Sequence, residues 1–200
     1  MARIARVTID QAPEDVALAL AYTRKMLAEL AGRETEQMIE PLELYAHLPG
    51  LLQGVGMMAQ ATAQLDGLDR RLHALASLKA ATLTHCEYCI DIGSQVSRQW
   101  GLTNEELLAL PNYRASALFS DLDRLVMDYA VGMSRTPVEV SDELFDTLRQ
   151  HFDAAQLVEL THLIAVENMY GRFNHALGVG SAGFSDGMVC AVPAAVEASA

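Results

Sequence analysis

Apolar residues recur along most of the chain at three- and four-residue intervals, the spacing that places them on one face of an α-helix. Pro13 and Gly32 bound the first such run, while Thr103 and Ser120 carry capping signals for later ones. The second run is interrupted at Pro41. The pattern predicts helices over about residues 14–30, 34–48, 48–65, 68–84, 89–100, from 103, 120–133, 141–152 and 153–177.

Composition favours the same all-α fold. Hydrophobic residues make up 51% of the chain and aromatic residues 6%, with many Ala, Leu and Met, which suits packed helices better than a β-sandwich. A chain of 200 residues can fold as one domain without disulfides or metal, so we expect a single domain over residues 1–200. Within it we expect a core around the cysteine motif, about residues 68–110, and a C-terminal arm, about residues 178–200.

The charge balance excludes two classes of partner. Acidic residues outnumber Lys and Arg by 26 to 14, a formal net charge of −12, so we expect neither nucleic acid nor an anionic membrane as a partner. No segment reaches eighteen uninterrupted apolar residues, and the first residues lack an apolar core of signal-peptide length. We therefore expect a cytoplasmic protein.

Cys86 and Cys89 form a CxxC pair in the stretch THCEYCIDIGSQVSRQWG, residues 84–101. At a helix N-terminus two such residues share a face, so their sulfurs can bond with little backbone movement, and the helix dipole favours a thiolate. The pair is a redox centre, half of a metal site or two buried apolar residues. A structural zinc site needs four ligands and no second CxxC exists, so we predict redox function and no metal. Cys190 has no evident partner.

Charged neighbours act on these thiols in opposite directions. Glu87 and Asp91 are carboxylates that raise a thiol pKa, whereas a protonated His85 lowers it. His85 lies four residues before Cys89, so its ring reaches that sulfur if the chain is already helical there. We therefore name His85 as a candidate proton handler.

The stretch LHALASLKAATLTHCEYCIDIGSQVSRQWGLTNEEL resembles the alkylhydroperoxidase D-like, carboxymuconolactone decarboxylase superfamily, and ENMYGRFNHALGV is similar to the closing helix of many members. The resemblance implies an all-α bundle that forms homo-oligomers, commonly trimers or hexamers, and that needs no cofactor. In the peroxidase branch it implies that Cys89 attacks the peroxide and that Cys86 then forms the disulfide, which an external thiol reductant reopens.

Two positions depart from the family pattern. The peroxidase branch has a Glu twelve residues before the first cysteine and a His four residues after the second, and this chain has Ala74 and Gly93 there. The decarboxylase branch also uses the histidine and usually lacks the cysteines. A Gly inside a helix either opens space beside Cys89 or lets another helix pack closely, and we favour close packing.

Another carboxylate can replace the missing Glu. Leu160, Leu163 and Ile164 define an apolar stripe in the last helix whose next members are Glu167, Gly171 and Asn174. A carboxylate at a position that the pattern assigns to the core acquires a raised pKa and can serve as an acid or base, so Glu167 is our second candidate proton handler. The alternative is that it pairs with Arg172 or lies at a subunit contact.

These features predict a thiol-dependent enzyme that reduces a hydroperoxide through Cys86 and Cys89, with His85 and Glu167 as proton handlers. The substrate is a small hydroperoxide or disulfide, and the partners are a thiol reductant and further copies of the chain. Three alternatives stay open: a general dithiol–disulfide oxidoreductase, a redox sensor that turns nothing over, and a cofactor-free lyase that does not need the cysteines.

Overall fold

The computed structural model describes residues 2–193, and within that range every regular element is helical. The predicted C-terminal arm therefore lies partly outside the described residues. A short 3₁₀ helix, Leu110–Asn112, follows the sixth α-helix. The α-helices are α1 (Glu14–Ala31), α2 (Glu40–Tyr45), α3 (Pro49–Ala63), α4 (Arg70–Thr84), α5 (Glu87–Gln99), α6 (Asn104–Ala109), α7 (Asp121–Ser134), α8 (Asp142–Leu148) and α9 (Ala154–Leu177). None of these helices combines the length and apolar character needed to cross a membrane.

Local signals account for most helix ends. Gly32 ends α1 in the left-handed conformation, and both predicted capping boxes form, Thr103 with Glu106 and Ser120 with Asp123. In each box the side chain at the cap accepts a backbone N–H that the first helical turn leaves unpaired. The all-α prediction is confirmed, and the capping arguments place these helix starts correctly.

The second predicted helix is much shorter than its hydrophobic pattern. Only Glu40–Tyr45 is helical, with Pro41 in its first turn, where the missing N–H removes no hydrogen bond. Met38 and Ile39 are buried although they precede the helix. Some of the apolar residues of this run therefore enter the core from a non-helical segment. Their spacing correctly indicated burial, but it did not indicate a helix there.

α4 is the central helix and packs against α5, α7 and α9. One face contributes to a core shared with α1, α2, α3 and α5, and the opposite face to a core shared with α7, α8 and α9. α9 crosses α4 closely where Gly171 meets Thr84. A Cβ at Gly171 would overlap Thr84 Oγ1 and approach Thr84 Cβ to 2.7 Å. This crossing brings α9 next to the start of α5.

The segment after α9 folds back onto α5. The Asp91 carboxylate accepts the backbone N–H groups of residues 182, 183, 184 and 185 at 2.6–3.0 Å, and the Ser181 hydroxyl at 2.8 Å. Further along α5, Ser94 accepts the Ala191 N–H at 2.9 Å. Asp91 is thus directed at this segment, where five donors satisfy it, rather than at the cysteine sulfurs.

Candidate functional site

The two cysteines lie at the junction of α4 and α5. Cys86 caps α5, its Sγ accepts the Cys89 N–H at 3.2 Å, and the two residues form a disulfide with their Cα atoms 5.2 Å apart. The three-residue spacing at a helix N-terminus produces this pairing, because it places both side chains over the same turn. The disulfide that the sequence predicts is therefore sterically available to this chain.

The two sulfurs differ in access to open space. Cys86 is 1% exposed and Cys89 is 6% exposed, but Cys89 lines two cavities in which Cys86 takes no part. Leu30, Ile92 and Glu167 line both cavities with it. The α4 cavity, of about 180 Å³, is bounded by His73, Ala74, Gly93 and Trp100 together with Cys89 and Glu167. The tyrosine chamber, of about 280 Å³, is bounded by Tyr45, Tyr88, Tyr170 and Asn174 together with Cys89 and Glu167.

Ala74 and Gly93, where the family relay residues are absent, both line the α4 cavity. The space that a Glu and a His would occupy is thus partly open beside Cys89. Gly93 also has the role in packing that we favoured, because a Cβ there would lie 3.1 Å from Leu78 Cδ1 on α4. Both effects of the glycine, open space and close packing, occur at the same position.

Glu167 projects from α9 into both cavities. Its Oε1 is inaccessible to solvent and has no hydrogen-bond partner among the described residues, although the residue as a whole is only partly buried. Burial raises the pKa of Glu167 to about 7, since desolvation disfavours the carboxylate. The pairing with Arg172 does not form, because that guanidinium donates to Asn168 Oδ1 at 2.6 Å. Glu167 therefore lies beside Cys89 as an unpaired acid.

Asn174, one turn beyond Gly171, is a site residue that sequence reasoning did not single out. Its Nδ2 lies 3.5 Å from Cys86 Sγ and 3.6 Å from Cys89 Sγ, and its buried Oδ1 has no partner among residues 2–193. It is the only one of the stripe's later members that touches both sulfurs. The available signal was its position seven residues after Glu167, on the same helix face.

His73 is a second residue that the sequence did not reveal. It precedes Ala74 on α4, lines the α4 cavity, and sets its ring edge-on against Trp100 with centroids 5.0 Å apart. Burial lowers the pKa of His73 to about 4, because the apolar surroundings disfavour the imidazolium. In the sequence His73 has the appearance of a solvated polar residue, and only the packing of α5 against α4 places it in the cavity wall.

His85 does not occupy the position that its sequence spacing predicted. It ends α4 in the left-handed conformation, with φ 53° and ψ 35°, so residues 85 to 89 do not form a continuous helical turn. His85 and Cys89 therefore do not lie four residues apart on one face of a continuous helix, which the predicted contact required. His85 is partly exposed and lines neither cavity described above.

The remaining candidates lie elsewhere. His162 Nε2 is within 2.8 Å of Thr62 Oγ1, His151 is exposed, and Cys190 is a half-buried free thiol in the segment after α9. In the described part of the chain, no three His, Cys, Asp or Glu side chains are grouped so that they could hold a metal ion.

Comparison with known proteins supports the family resemblance. Residues 49–131 match the model of the carboxymuconolactone decarboxylase family. The uncharacterized protein YnjA of Escherichia coli K12 is 34% identical over 167 residues, which cover 83% of this chain and 89% of YnjA. The chain belongs to this family. The resemblance inferred from the cysteine motif is therefore confirmed.

Solved structures share the fold at low sequence identity. The debrominase Bmp8 superposes with a TM-score of 0.73 at 16% identity, covering 86% of this chain and 90% of Bmp8. A peroxidase-related protein from Ralstonia eutropha JMP134, described as an alkylhydroperoxidase AhpD core, gives a TM-score of 0.70 at 16% identity, covering 90% and 92%. At these identities the likeness concerns the fold, which is that of the AhpD-like helical proteins.

Proposed function

We propose that this chain is a thiol-dependent peroxidase in which Cys89 attacks a hydroperoxide and Cys86 resolves the product. The observation that carries the proposal is the asymmetry of the pair: Cys89 lines two cavities shared with Glu167, whereas its disulfide partner Cys86 lines neither. An attacking thiol needs access to substrate, and a resolving thiol needs only to reach the first sulfur.

The reaction balances with these two thiols and an external reductant. The Cys89 thiolate attacks the terminal peroxide oxygen, the O–O bond breaks, and the leaving alkoxide takes up the proton that the thiol lost. Cys89 is then a sulfenic acid. The Cys86 thiol displaces its hydroxyl as water and forms the disulfide, and a dithiol outside the protein reduces that bond. No cofactor enters the cycle.

Glu167 supplies the acid and base chemistry in this proposal. A pKa of about 7 leaves both its protonated and its ionised forms populated near neutral pH, which is the condition that favours general acid–base catalysis. The ionised form accepts the thiol proton, and the protonated form delivers it to the leaving oxygen. Asn174 donates to both sulfurs and stabilises a thiolate on either. His85 was our other candidate, and the geometry favours Glu167 instead.

The proposal includes the partners and surroundings expected from the sequence. The substrate is a small organic hydroperoxide, whose apolar part fits the tyrosine chamber with its Leu27, Leu42 and Val55 walls. The reductant is a dithiol, the working form is a homo-oligomer, and the compartment is the cytoplasm, where free thiols are kept reduced.

Stopped-flow oxidation of the reduced protein by cumene hydroperoxide and by hydrogen peroxide, with thiols counted, tests the proposal. We expect two thiols to be lost rapidly per chain, the first oxidation to survive Cys86→Ser, and Cys89→Ser to abolish it. Cys190→Ser is the matched control, since that thiol lies in a different segment.

Other outcomes identify the alternatives. Oxidation of the protein thiols no faster than that of an ordinary free thiol would refute the peroxidase proposal. Disulfide exchange without peroxide consumption would then indicate an oxidoreductase, and a change of assembly without turnover would indicate a sensor. Activity on a lactone that survives loss of both cysteines would indicate a lyase.

A second candidate is thiol-dependent reductive debromination, favoured by one comparison. A cysteine-to-alanine variant of the debrominase Bmp8 in complex with 2,3,4-tribromopyrrole superposes with a TM-score of 0.72 at 17% identity, covering 89% of this chain and 92% of Bmp8. In such a reaction Cys89 takes the bromine, the ring carbon gains a proton, and Cys86 releases bromide by forming the disulfide. Bromide release from 2,3,4-tribromopyrrole, lost in Cys89→Ser, would support it.

A further inference from the structure

His73 lies in the wall between the α4 cavity and an open cleft on the protein surface. The cleft has a volume of about 820 Å³, and it shares Leu30, His73 and Trp100 with the α4 cavity. His73 is the only one of these three whose side chain can both accept and donate a proton. It therefore connects the surroundings of Cys89 with solvent.

The His73 ring is free to transfer a proton. Neither ring nitrogen hydrogen-bonds to another described residue, and the ring is held by its edge-on contact with Trp100. Its lowered pKa, about 4, keeps the imidazole neutral at pH 7. A neutral imidazole has one nitrogen that donates and one that accepts, so it takes up a proton on one side and releases one on the other.

The proposed cycle requires such a path. A dithiol reductant attacks the Cys86–Cys89 disulfide as a thiolate, so the proton that restores the first protein thiol comes from solvent, and the second is the one that the reductant's other thiol loses as it closes its own disulfide. Glu167 is the adjacent acid, and its Oε1 is inaccessible to solvent, so proton exchange at that oxygen needs a neighbouring group. A side chain that borders both the α4 cavity and the open cleft can supply that exchange, and His73 is such a residue.

We propose that His73 is the proton shuttle between the open cleft and the Glu167–Cys89 pair, taking over from the family histidine that Gly93 replaces. The inference rests on the proposed thiol cycle. It assigns no contact with substrate to His73, which acts on Cys89 through Glu167. The α4 cavity, which is lined by His73, Glu167 and Cys89, has a volume of about 180 Å³ and can hold the few waters that complete the path.

Charged groups around His73 shape its exchange with solvent. The cleft side carries three carboxylates, Glu29 from α1 and Asp66 and Asp69 before α4, against one guanidinium, that of Arg70. The cavity side carries Glu167 from α9. This acidic rim attracts cations, so a small cationic buffer acid such as imidazolium is drawn into the cleft.

Chemical rescue tests the shuttle without any hydroperoxide. The disulfide form is reduced by dithiothreitol in a single turnover, and thiols are counted with time in wild type and His73→Ala. We expect reduction to slow by about 10²-fold in the variant, the range of one proton-transfer group. Added imidazole should restore the rate with saturation, because it fits the space vacated beside the open cleft. His151→Ala, at an exposed site, is the control and should respond to neither change.

Two results would overturn the shuttle: an unchanged reduction rate in His73→Ala, or a slow rate that imidazole does not restore. If the alanine variant folds poorly, His73→Gln keeps a polar side chain of similar volume that cannot carry a proton, and it must show the same slow reduction. A chain that reduces its disulfide normally but never consumes hydroperoxide would refute the proposed peroxidase while leaving the rescue result to decide on His73.

Discussion

Two buried oxygens beside the disulfide have no hydrogen-bond partner among the described residues, which is unusual for the interior of a protein. Glu167 Oε1 and Asn174 Oδ1 are both buried without partners among the described residues, and both belong to one face of α9. Buried polar atoms are almost always paired because leaving one unpaired costs about 1–3 kcal/mol. In the proposed function these two oxygens are free to bind a proton, a water or a substrate atom beside Cys86 and Cys89.

Replacing Glu167 with Gln should stabilise the folded protein and slow its hydroperoxide turnover. The folded-state pKa is raised to about 7 from 4.5, so the unfolded chain ionises first and Glu167 destabilises the fold as the pH rises between those values. At pH 8 we expect Glu167→Gln to gain about 2 kcal/mol in the free energy of unfolding, with no gain at pH 4. Hydroperoxide turnover should fall about 10²-fold.

Urea unfolding at both pH values measures the stability effect. Glu36→Gln, at an exposed non-helical position, is the matched control and should change stability at neither pH. Equal unfolding energies for wild type and Glu167→Gln at pH 8 would show that this carboxyl is not desolvated.

Asn174→Leu should lower the reactivity of Cys89 without unfolding the chain. Leucine has a volume similar to that of asparagine but cannot donate a hydrogen bond to the sulfurs. A hydrogen bond to a charged group, here the Cys89 thiolate, contributes about 1.5–3 kcal/mol. In a Cys86→Ser background we expect alkylation of Cys89 by iodoacetamide at pH 7 to slow at least tenfold, with the thiol pKa shifted upward. A pH profile that superposes on that of the parent would refute a thiolate-stabilising role for Asn174.

At the scale of elements, the crossing of α9 over α4 builds the site. Gly171 lets the two helices approach at Thr84, one turn from both Glu167 and Asn174 on α9. α9 thereby presents its carboxylate and amide to the first turn of α5, more than seventy residues earlier in the chain. A small separation of these helices would therefore withdraw both groups from the cysteines.

Gly171→Ala should destabilise the fold by about 2–3 kcal/mol, because the added Cβ overlaps Thr84. Adding Thr84→Ala should recover part of the loss, since it removes the hydroxyl but keeps the Cβ.

Gly54→Ala is a control in which the new methyl meets no other atom. Nothing lies within 4 Å of it, so helix propensity alone should stabilise α3 by about 0.5–1 kcal/mol. Thermal melts of the four proteins give the comparison, and a harmless Gly171→Ala would contradict the close crossing.

At the scale of the whole molecule, α1 and α3 leave an apolar groove uncovered. Leu18, Tyr22 and Met57 are 65%, 51% and 64% exposed along it, and α3 has no charged residue in its sequence PGLLQGVGMMAQATA. In a chain with a net charge of −12, this is a face where two copies can meet without mutual repulsion. We propose that a second copy of the chain covers it in the homo-oligomer.

Light scattering coupled to size exclusion tests this interface. Wild type should elute at three or six times the 21.7 kDa chain mass, and Met57→Glu should shift it toward the monomer. Val158→Glu is the matched control, being 69% exposed on α9 away from this groove, and should leave the mass unchanged. A monomeric wild type would refute the oligomer, and an unaffected Met57→Glu would refute this face.

Local physics made much of this protein predictable from sequence. Helix caps such as Thr103 with Glu106 act within four residues, and the Cys86–Cys89 spacing places both sulfurs over one turn in any helix that begins there. The family follows from the same stretch. Local arguments failed at two places where the backbone is not helical. At His85 the left-handed cap interrupts the helical turn that the predicted contact with Cys89 required. Before Pro41 the buried apolar residues predicted as helical precede the helix.

Tertiary structure alone decided which polar groups join the cysteines. Glu167 was a candidate because it interrupts an apolar stripe, but its place in the cavity that Cys89 lines and the lack of a contact with Arg172 depend on how α9 crosses α4. Asn174 belongs to the same stripe and His73 precedes Ala74, but neither position indicates contact with the cysteines, since helical periodicity assigns a residue to a face without saying what that face meets. The sequence by itself determined the helices, the thiol pair and the family. The packing of helices distant in the chain determined which acid and which amide lie beside the cysteines, and which residues separate the α4 cavity from the open cleft.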